Sequence, residues 1–205
     1  ELQVLELEVH LRAGEARERA AVQARRVLDR AALVFRPWMS STPVEPMQKW
    51  TIVPDGDGYS TLLTEGAEPR QVPADPSGAV RRVEYLAVQA IFDGPPDVLT
   101  VHAALVAWRD RGVLIAGVPE AGKSTLACAL WQHGFALLGD DVAMVHLDRM
   151  SASPAPGRVS LRRSSCVLLG DELWARIEHA PASDKTDEGY VFHPREIDGC
   201  SLASV

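Results

Sequence analysis

The sequence predicts an α/β domain built on a strand, loop, helix, strand unit and preceded by a smaller α+β region. Three observations predict it. Gly117-Val118-Pro119-Glu120-Ala121-Gly122-Lys123-Ser124 fits the phosphate-loop (P-loop, or Walker A) spacing, with an apolar run directly before it and a helical pattern directly after. Asp140 and Asp141 follow seventeen and eighteen residues after the lysine, at the end of a second apolar run. Upstream, Asp93-Gly94-Pro95-Pro96-Asp97 combines turn formers with helix and strand breakers. The domain junction is expected there, giving an N-terminal region over 1–96 and the loop-bearing domain over 97–205.

In the first region, Leu2–Leu11 alternates from Leu5 onward as a half-buried strand does. Gly14–Phe35 carries Ala21, Val22, Val27, Leu28 and Ala31 in a helical setting, and turns follow at Pro37, Pro43 and Pro46. Trp50–Val53 and Tyr59–Leu63 flank Pro54-Asp55-Gly56-Asp57-Gly58, a hairpin pattern. Residues 66–79, rich in Pro, Glu, Ala and Gly, are expected as loop, and Val80–Phe92 as a helix. This region carries no recognisable motif, and a substrate- or partner-recognition role is open to it.

In the second region a strand is expected over Val98–Ala107, then a turn at Arg109–Gly112 and a buried parallel strand at Gly112–Ala116. After the loop, Ser124–His133 is expected as a helix with Leu126, Ala127 and Leu130 on its inner face and Gly134 as its stop. Phe135–Gly139 forms the next buried strand and delivers the two aspartates at its carboxyl end, where ligands of open α/β sheets sit. Further strands are expected at Val142–Leu147 and Val159–Arg162, a turn at Pro154–Gly157, and a mobile polar stretch over 180–189. Cys200–Val205 enters another apolar segment as the sequence stops, which suggests a domain truncated at its C-terminus.

Composition narrows the class of function. With 205 residues, 46% hydrophobic and 24% charged, the chain is long enough for a true core. A net charge of −7 argues against nucleic acid as a bulk electrostatic partner. Cys128, Cys166 and Cys200 form neither a disulfide framework nor a zinc pattern. No apolar run approaches the length of a membrane span and no leader opens the sequence, so the expectation is a cytoplasmic protein that does not engage a membrane. Lysines are scarce: Lys49, Lys123 and Lys185 are the only three among 21 basic residues.

The chemistry of the loop follows from its residue types. Backbone N–H groups at a helix N-terminus point at phosphate oxygens, Lys123 reaches the outer phosphates, and Ser124 offers its hydroxyl to Mg²⁺. Gly117, Val118, Pro119, Glu120, Ala121, Gly122, Lys123, Ser124 and Thr125 are therefore the candidate nucleotide contacts. A lone histidine such as His102, on an apolar strand, ordinarily belongs to a core.

Taken together, His102, Gly112-Val113-Leu114-Ile115, the phosphate loop and Gly134-Phe135-Ala136-Leu137-Leu138-Gly139-Asp140-Asp141 resemble the catalytic domain of the HPr serine kinase/phosphorylase family and its related kinases. The likeness covers about residues 98 to 147. It implies a P-loop kinase fold related to phosphoenolpyruvate carboxykinase, and an ATP- and Mg²⁺-dependent phosphotransferase acting on a hydroxyl, typically the serine of a peptide or protein. By the family pattern Asp141 is the general base and Asp140 meets Mg²⁺ or holds Ser124, with the reverse assignment open. The resemblance places His102 beside the phosphates, orienting the base, and makes self-association reasonable.

Two departures limit the likeness. Thr125 stands where bifunctional kinase/phosphorylases have an acidic residue, which puts the reverse reaction in doubt. A later Glu-Ile-Arg-Gly signature has only a partial echo in Glu196-Ile197-Asp198-Gly199, so Glu196 is a candidate metal contact set against a plain surface loop. The alternatives are a small-molecule hydroxyl kinase on the same scaffold and a nucleotide-binding regulatory module with slow or no hydrolysis.

Overall fold

The computed structural model describes residues 5–9, 17–35, 48–54, 59–64, 68–73, 75–92, 98–109, 111–148, 150–155, 157–180 and 183–194. Helices and strands are mixed, in small sheets. The chain divides into two compact units, Glu1–Ala87 and Val88–Val205. The division falls inside a helix, and the expected junction at 93–97 lies outside the described residues.

Unit one carries a four-stranded sheet in the order β1 (Leu5–Val9), β2 (Gln48–Pro54), β3 (Tyr59–Thr64) and β4 (Arg70–Pro73). The β1–β2 pair is parallel and the others antiparallel. Helix α1 (Arg17–Phe35) buries Val27, Ala31 and Val34, spaced by four and three. They share one buried cluster with Ala79, Val80, Val83 and Ala87 of α2 (Pro76–Phe92).

The α2 helix begins four residues before the expected Val80. Asp75 caps it, its Oδ1 accepting the Gly78 N–H at 2.7 Å while Pro76 takes the first helical position, where no N–H is needed. β4 likewise occupies part of the stretch expected as loop.

Unit two holds three three-stranded sheets in which every described pairing is antiparallel. The expected single strand over 98–107 is two: β5 (Val98–Val101) and β6 (Ala103–Trp108), in different sheets with His102 between them. β6 lies between β7 (Arg111–Ala116) and β8 (Ala136–Gly139), antiparallel to both.

The strand leading into the phosphate loop, β7, is therefore neither buried nor directly parallel to a neighbour. It is an edge strand with Val113 and Leu114 exposed, and the central β6 takes the buried role over Ala103–Ala107. β7 and β8 still run in one direction with β6 between them, joined through α3 (Lys123–Gln132).

The buried face of α3 is Ala127, Cys128 and Trp131, whereas Leu126 is half exposed. The reason is Trp131: its ring stacks on Phe192 at 6.0 Å and rotates the helix toward that contact. Gly134, φ 89°, ends α3 as expected. The Phe135 N–H bonds to the Leu130 carbonyl and the Gly134 N–H to that of Trp131, the pair of bonds of a Schellman cap.

Beyond the aspartates come β9 (Ala143–His146) and β10 (Ser151–Pro154), an antiparallel pair whose second strand claims Pro154 from the expected turn. β11 (Val159–Arg162) appears as expected. A 3₁₀ turn (Arg163–Ser165) and two short helices, α4 (Cys166–Leu169) and α5 (Asp171–Glu178), follow, and Leu169, Leu173 and Ile177 join the core.

Within the polar stretch expected to be mobile, residues 183–189 carry a hairpin joining β12 (Asp184–Lys185) to β13 (Gly189–Phe192), and 181–182 lie outside the described residues. The Thr186 N–H bonds to the Gly189 carbonyl and the Gly189 N–H to Thr186 Oγ1, closing the turn from both sides. Among the described residues no helix is long and apolar enough to cross a membrane.

Candidate functional site

The segment joining β7 to α3 turns on two residues in the left-handed region, Glu120 at φ 65° and Gly122 at φ 86°. Glycine adopts this conformation freely; glutamate does so at a cost of about 1 kcal/mol. A bond from the Ala121 N–H to the Val118 carbonyl, 3.2 Å, closes the bend. Gly122 is the N-cap of α3 and supplies no side-chain cap, so the first-turn N–H groups face outward at the positive end of the helix dipole. The Lys123 ammonium folds back across the loop and donates to the carbonyls of Gly117 and Val118 at 3.1 and 3.3 Å.

The two aspartates, adjacent in sequence, part company in space. Asp140 is 6% exposed. Its Oδ2 accepts the Ser160 N–H at 3.0 Å, and the Ser124 hydroxyl donates to the same carboxylate. Burial pushes its pKa up to about 7; the two hydrogen bonds pull the other way, and the charge of Asp141 adds to the rise.

Asp141 stands out in solvent, its side chain 70% exposed, with Oδ1 3.0 Å from His102 Nδ1. The break between β5 and β6 makes this possible: His102 belongs to neither ladder and is free to turn toward the carboxylate. Cys128, buried in α3, is a free thiol whose pKa burial and the nearby Asp140 push upward, which keeps it unreactive.

The loop, the two aspartates and His102 open onto a cleft of about 730 Å³. Of the residues singled out in the sequence it gathers His102, Glu120, Gly122, Lys123, Ser124, Thr125, Asp140 and Asp141. Gly117, Val118, Pro119 and Ala121 belong to the same loop but do not line the cleft, and Glu196 lies outside the described residues.

The opposite wall was not visible in the sequence. It consists of Arg158 just before β11, Ser160, Leu161 and Arg162 on it, Ser164 and Ser165 just after it, and the turn 186–189. The one local signal was the alternation of Arg158, Ser160 and Arg162, which puts three polar groups on one face of a strand. Arg158 is buried and ion-paired with Asp184. Arg162 is exposed and reaches across to Glu120 at 2.8 Å, with Glu188 at 3.9 Å. The Thr125 and Ser165 hydroxyls bond at 2.8 Å and tie the start of α3 to this wall.

Among the described residues no three His, Cys, Asp or Glu side chains are grouped to cage a metal ion. What the site offers is the Ser124 hydroxyl hydrogen-bonded to a buried carboxylate. That donor set fits Mg²⁺, which is held by one or two protein oxygens with water and substrate phosphates completing the shell. Comparison with models of known families, with curated proteins and with solved structures returns no match.

Proposed function

We propose that unit two is a P-loop kinase domain of the HPr-kinase-related type, transferring the γ-phosphoryl group of ATP to a serine hydroxyl of a peptide or protein. The observation that carries the reading is the division of the aspartate pair: Asp140 buried against Ser124, Asp141 exposed against His102, both in the cleft that holds Lys123. A neutral glycine turn has no use for this arrangement. Phosphoryl transfer does, because it needs one carboxylate for charge and another for a proton.

In this reading the first-turn N–H groups of α3 and the ammonium of Lys123 bind the phosphates, the ammonium exchanging the Gly117 and Val118 carbonyls for phosphate oxygens. Ser124 and Asp140 hold Mg²⁺, which when bound neutralises charge on the phosphates. Asp141 takes the proton of the acceptor hydroxyl as the serine oxygen bonds to phosphorus and the bond to the bridging oxygen breaks. His102 donates to the far side of the carboxylate and fixes its orientation.

The test is transfer of label from γ-labelled ATP with Mg²⁺ to serine-containing peptides and proteins. Asp141→Asn is expected to lower the rate by about 10²–10⁴-fold while nucleotide still binds. Lys123→Ala is expected to abolish productive binding. Transfer to a free small-molecule hydroxyl but to no peptide would move the assignment to a metabolite kinase. Nucleotide binding without transfer to any acceptor would leave only a regulatory module.

A further inference from the structure

Glu120 is a strange residue for its position. It sits inside the phosphate loop, at φ 65°, where a glycine would be unstrained and uncharged, and it brings a negative charge to a place that is to receive phosphates. Its carboxylate does not point away. Oε1 accepts from Arg162 Nη1 at 2.8 Å, across the cleft, and Arg162 Nε is 3.9 Å from Glu188 on the turn beyond. Glu120, Arg162 and Glu188 line the same cleft as Lys123 and Ser124.

Two of the cations lining the cleft are thus occupied by groups of the chain itself: Lys123 by loop carbonyls, Arg162 by a carboxylate. A guanidinium binds carboxylate and phosphate through the same fork of N–H donors, so one can replace the other with little rearrangement. An ion pair with both partners this exposed is weak and exchanges readily.

We propose that Arg162 is a second phosphate-binding cation of this cleft and that Glu120 is its built-in competitor. The glutamate carboxylate occupies the guanidinium until the outermost phosphate of a nucleoside triphosphate displaces it. A ligand short of that phosphate leaves the Glu120–Arg162 contact closed, so Arg162 favours the triphosphate over the diphosphate while Glu120 tempers the grip on the triphosphate. The inference rests on the proposed nucleotide site, and adds to it a discriminating contact that the loop motif does not contain.

A double-mutant cycle on the full chain tests it. Mg²⁺ with adenylyl imidodiphosphate, a non-transferable ATP analogue, and separately Mg²⁺ with ADP, are titrated into the wild type, Glu120→Gln, Arg162→Gln and the double variant. Glu120→Gln is expected to tighten the analogue by about two- to fivefold, the range an exposed pair allows, and to leave ADP unchanged. Arg162→Gln is expected to weaken the analogue, and in its background Glu120→Gln is expected to do nothing further.

Equal tightening in both backgrounds overturns the proposal, because Glu120 would then act only as a nearby negative charge, and no tightening at all overturns it too. If the wild type binds neither nucleotide, the proposed function falls and takes this inference with it. Where Arg162→Gln fails to fold, Arg162→Met, which keeps the apolar stem and removes the charge, replaces it in the cycle.

Discussion

Asp140 carries the sharpest consequence at the scale of single residues. A buried carboxyl with its pKa raised from 3.8 to about 7 is protonated in the folded chain and ionised in the unfolded one throughout that interval. The folded state then binds the extra proton, so stability is greatest below pH 4 as far as this group is concerned, and falls as pH rises toward 7. The fall is on the order of 4 kcal/mol. Asp140→Asn keeps an acceptor for the Ser160 N–H and removes the titration. Chemical denaturation of ligand-free protein across pH 4–8 is expected to show a descending stability in the wild type and a flatter one in the variant. Parallel curves would mean that Asp140 ionises as freely in the fold as out of it.

At the scale of elements, the wall facing the phosphate loop depends on how closely β13 approaches β11. Gly189 is buried opposite Arg162, and a Cβ there would collide with the Leu161 carbonyl oxygen and crowd the backbone at Arg162 and Arg163. Every obstacle is main chain, so no side chain can swing aside. Gly189→Ala is expected to cost about 3 kcal/mol or more, read as a lowered midpoint in thermal or urea unfolding, and to weaken nucleotide binding by displacing Arg162. An alanine variant of native stability would show that the two strands can separate without loss.

Elements also explain what the sequence could and could not disclose. The loop, α3 and the aspartates were legible because their chemistry sits at fixed short spacings, and the Gly134 stop because one residue suffices for it. The exposure of β7 was not, since an apolar run carries no mark saying whether it lies at a sheet's centre or its edge. The facing wall was illegible for a related reason: Val159 pairs with Phe192 and Arg162 with Gly189, long-range contacts that leave no local period. The start of α2 was legible in Asp75-Pro76, a cap and first-turn signal outweighed by the surrounding Pro, Glu and Ala.

At the scale of the whole molecule, a ligand that binds only the folded form stabilises it by mass action. Mg²⁺ with a non-transferable ATP analogue at a hundredfold excess over its Kd is expected to raise the unfolding free energy by about 2.7 kcal/mol, read as an upward shift of the thermal transition. Lys123→Ala is expected to lose the shift. A shift retained in that variant would place the nucleotide away from the phosphate loop.

The break at His102 has a counterpart on the facing strand. Val101 pairs with Ala143 across β5 and β9, and Leu105 with Gly139 across β6 and β8. Across the parting at 102–104 and 140–142 these two pairs keep one count, four residues forward on one strand against four back on the other; immediately beyond it the β6–β8 ladder is bulged, Val106 pairing with Leu137. His102 and Asp141 occupy the parting. Their separation is bounded at its two ends by the Val101–Ala143 and Leu105–Gly139 pairings. Residues added outside these strands, after Trp108 or in the turn between β9 and β10, lengthen the protein without touching the 3.0 Å contact. One residue added between Val101 and Leu105, or between Gly139 and Ala143, breaks the count across the parting and separates the histidine from its aspartate.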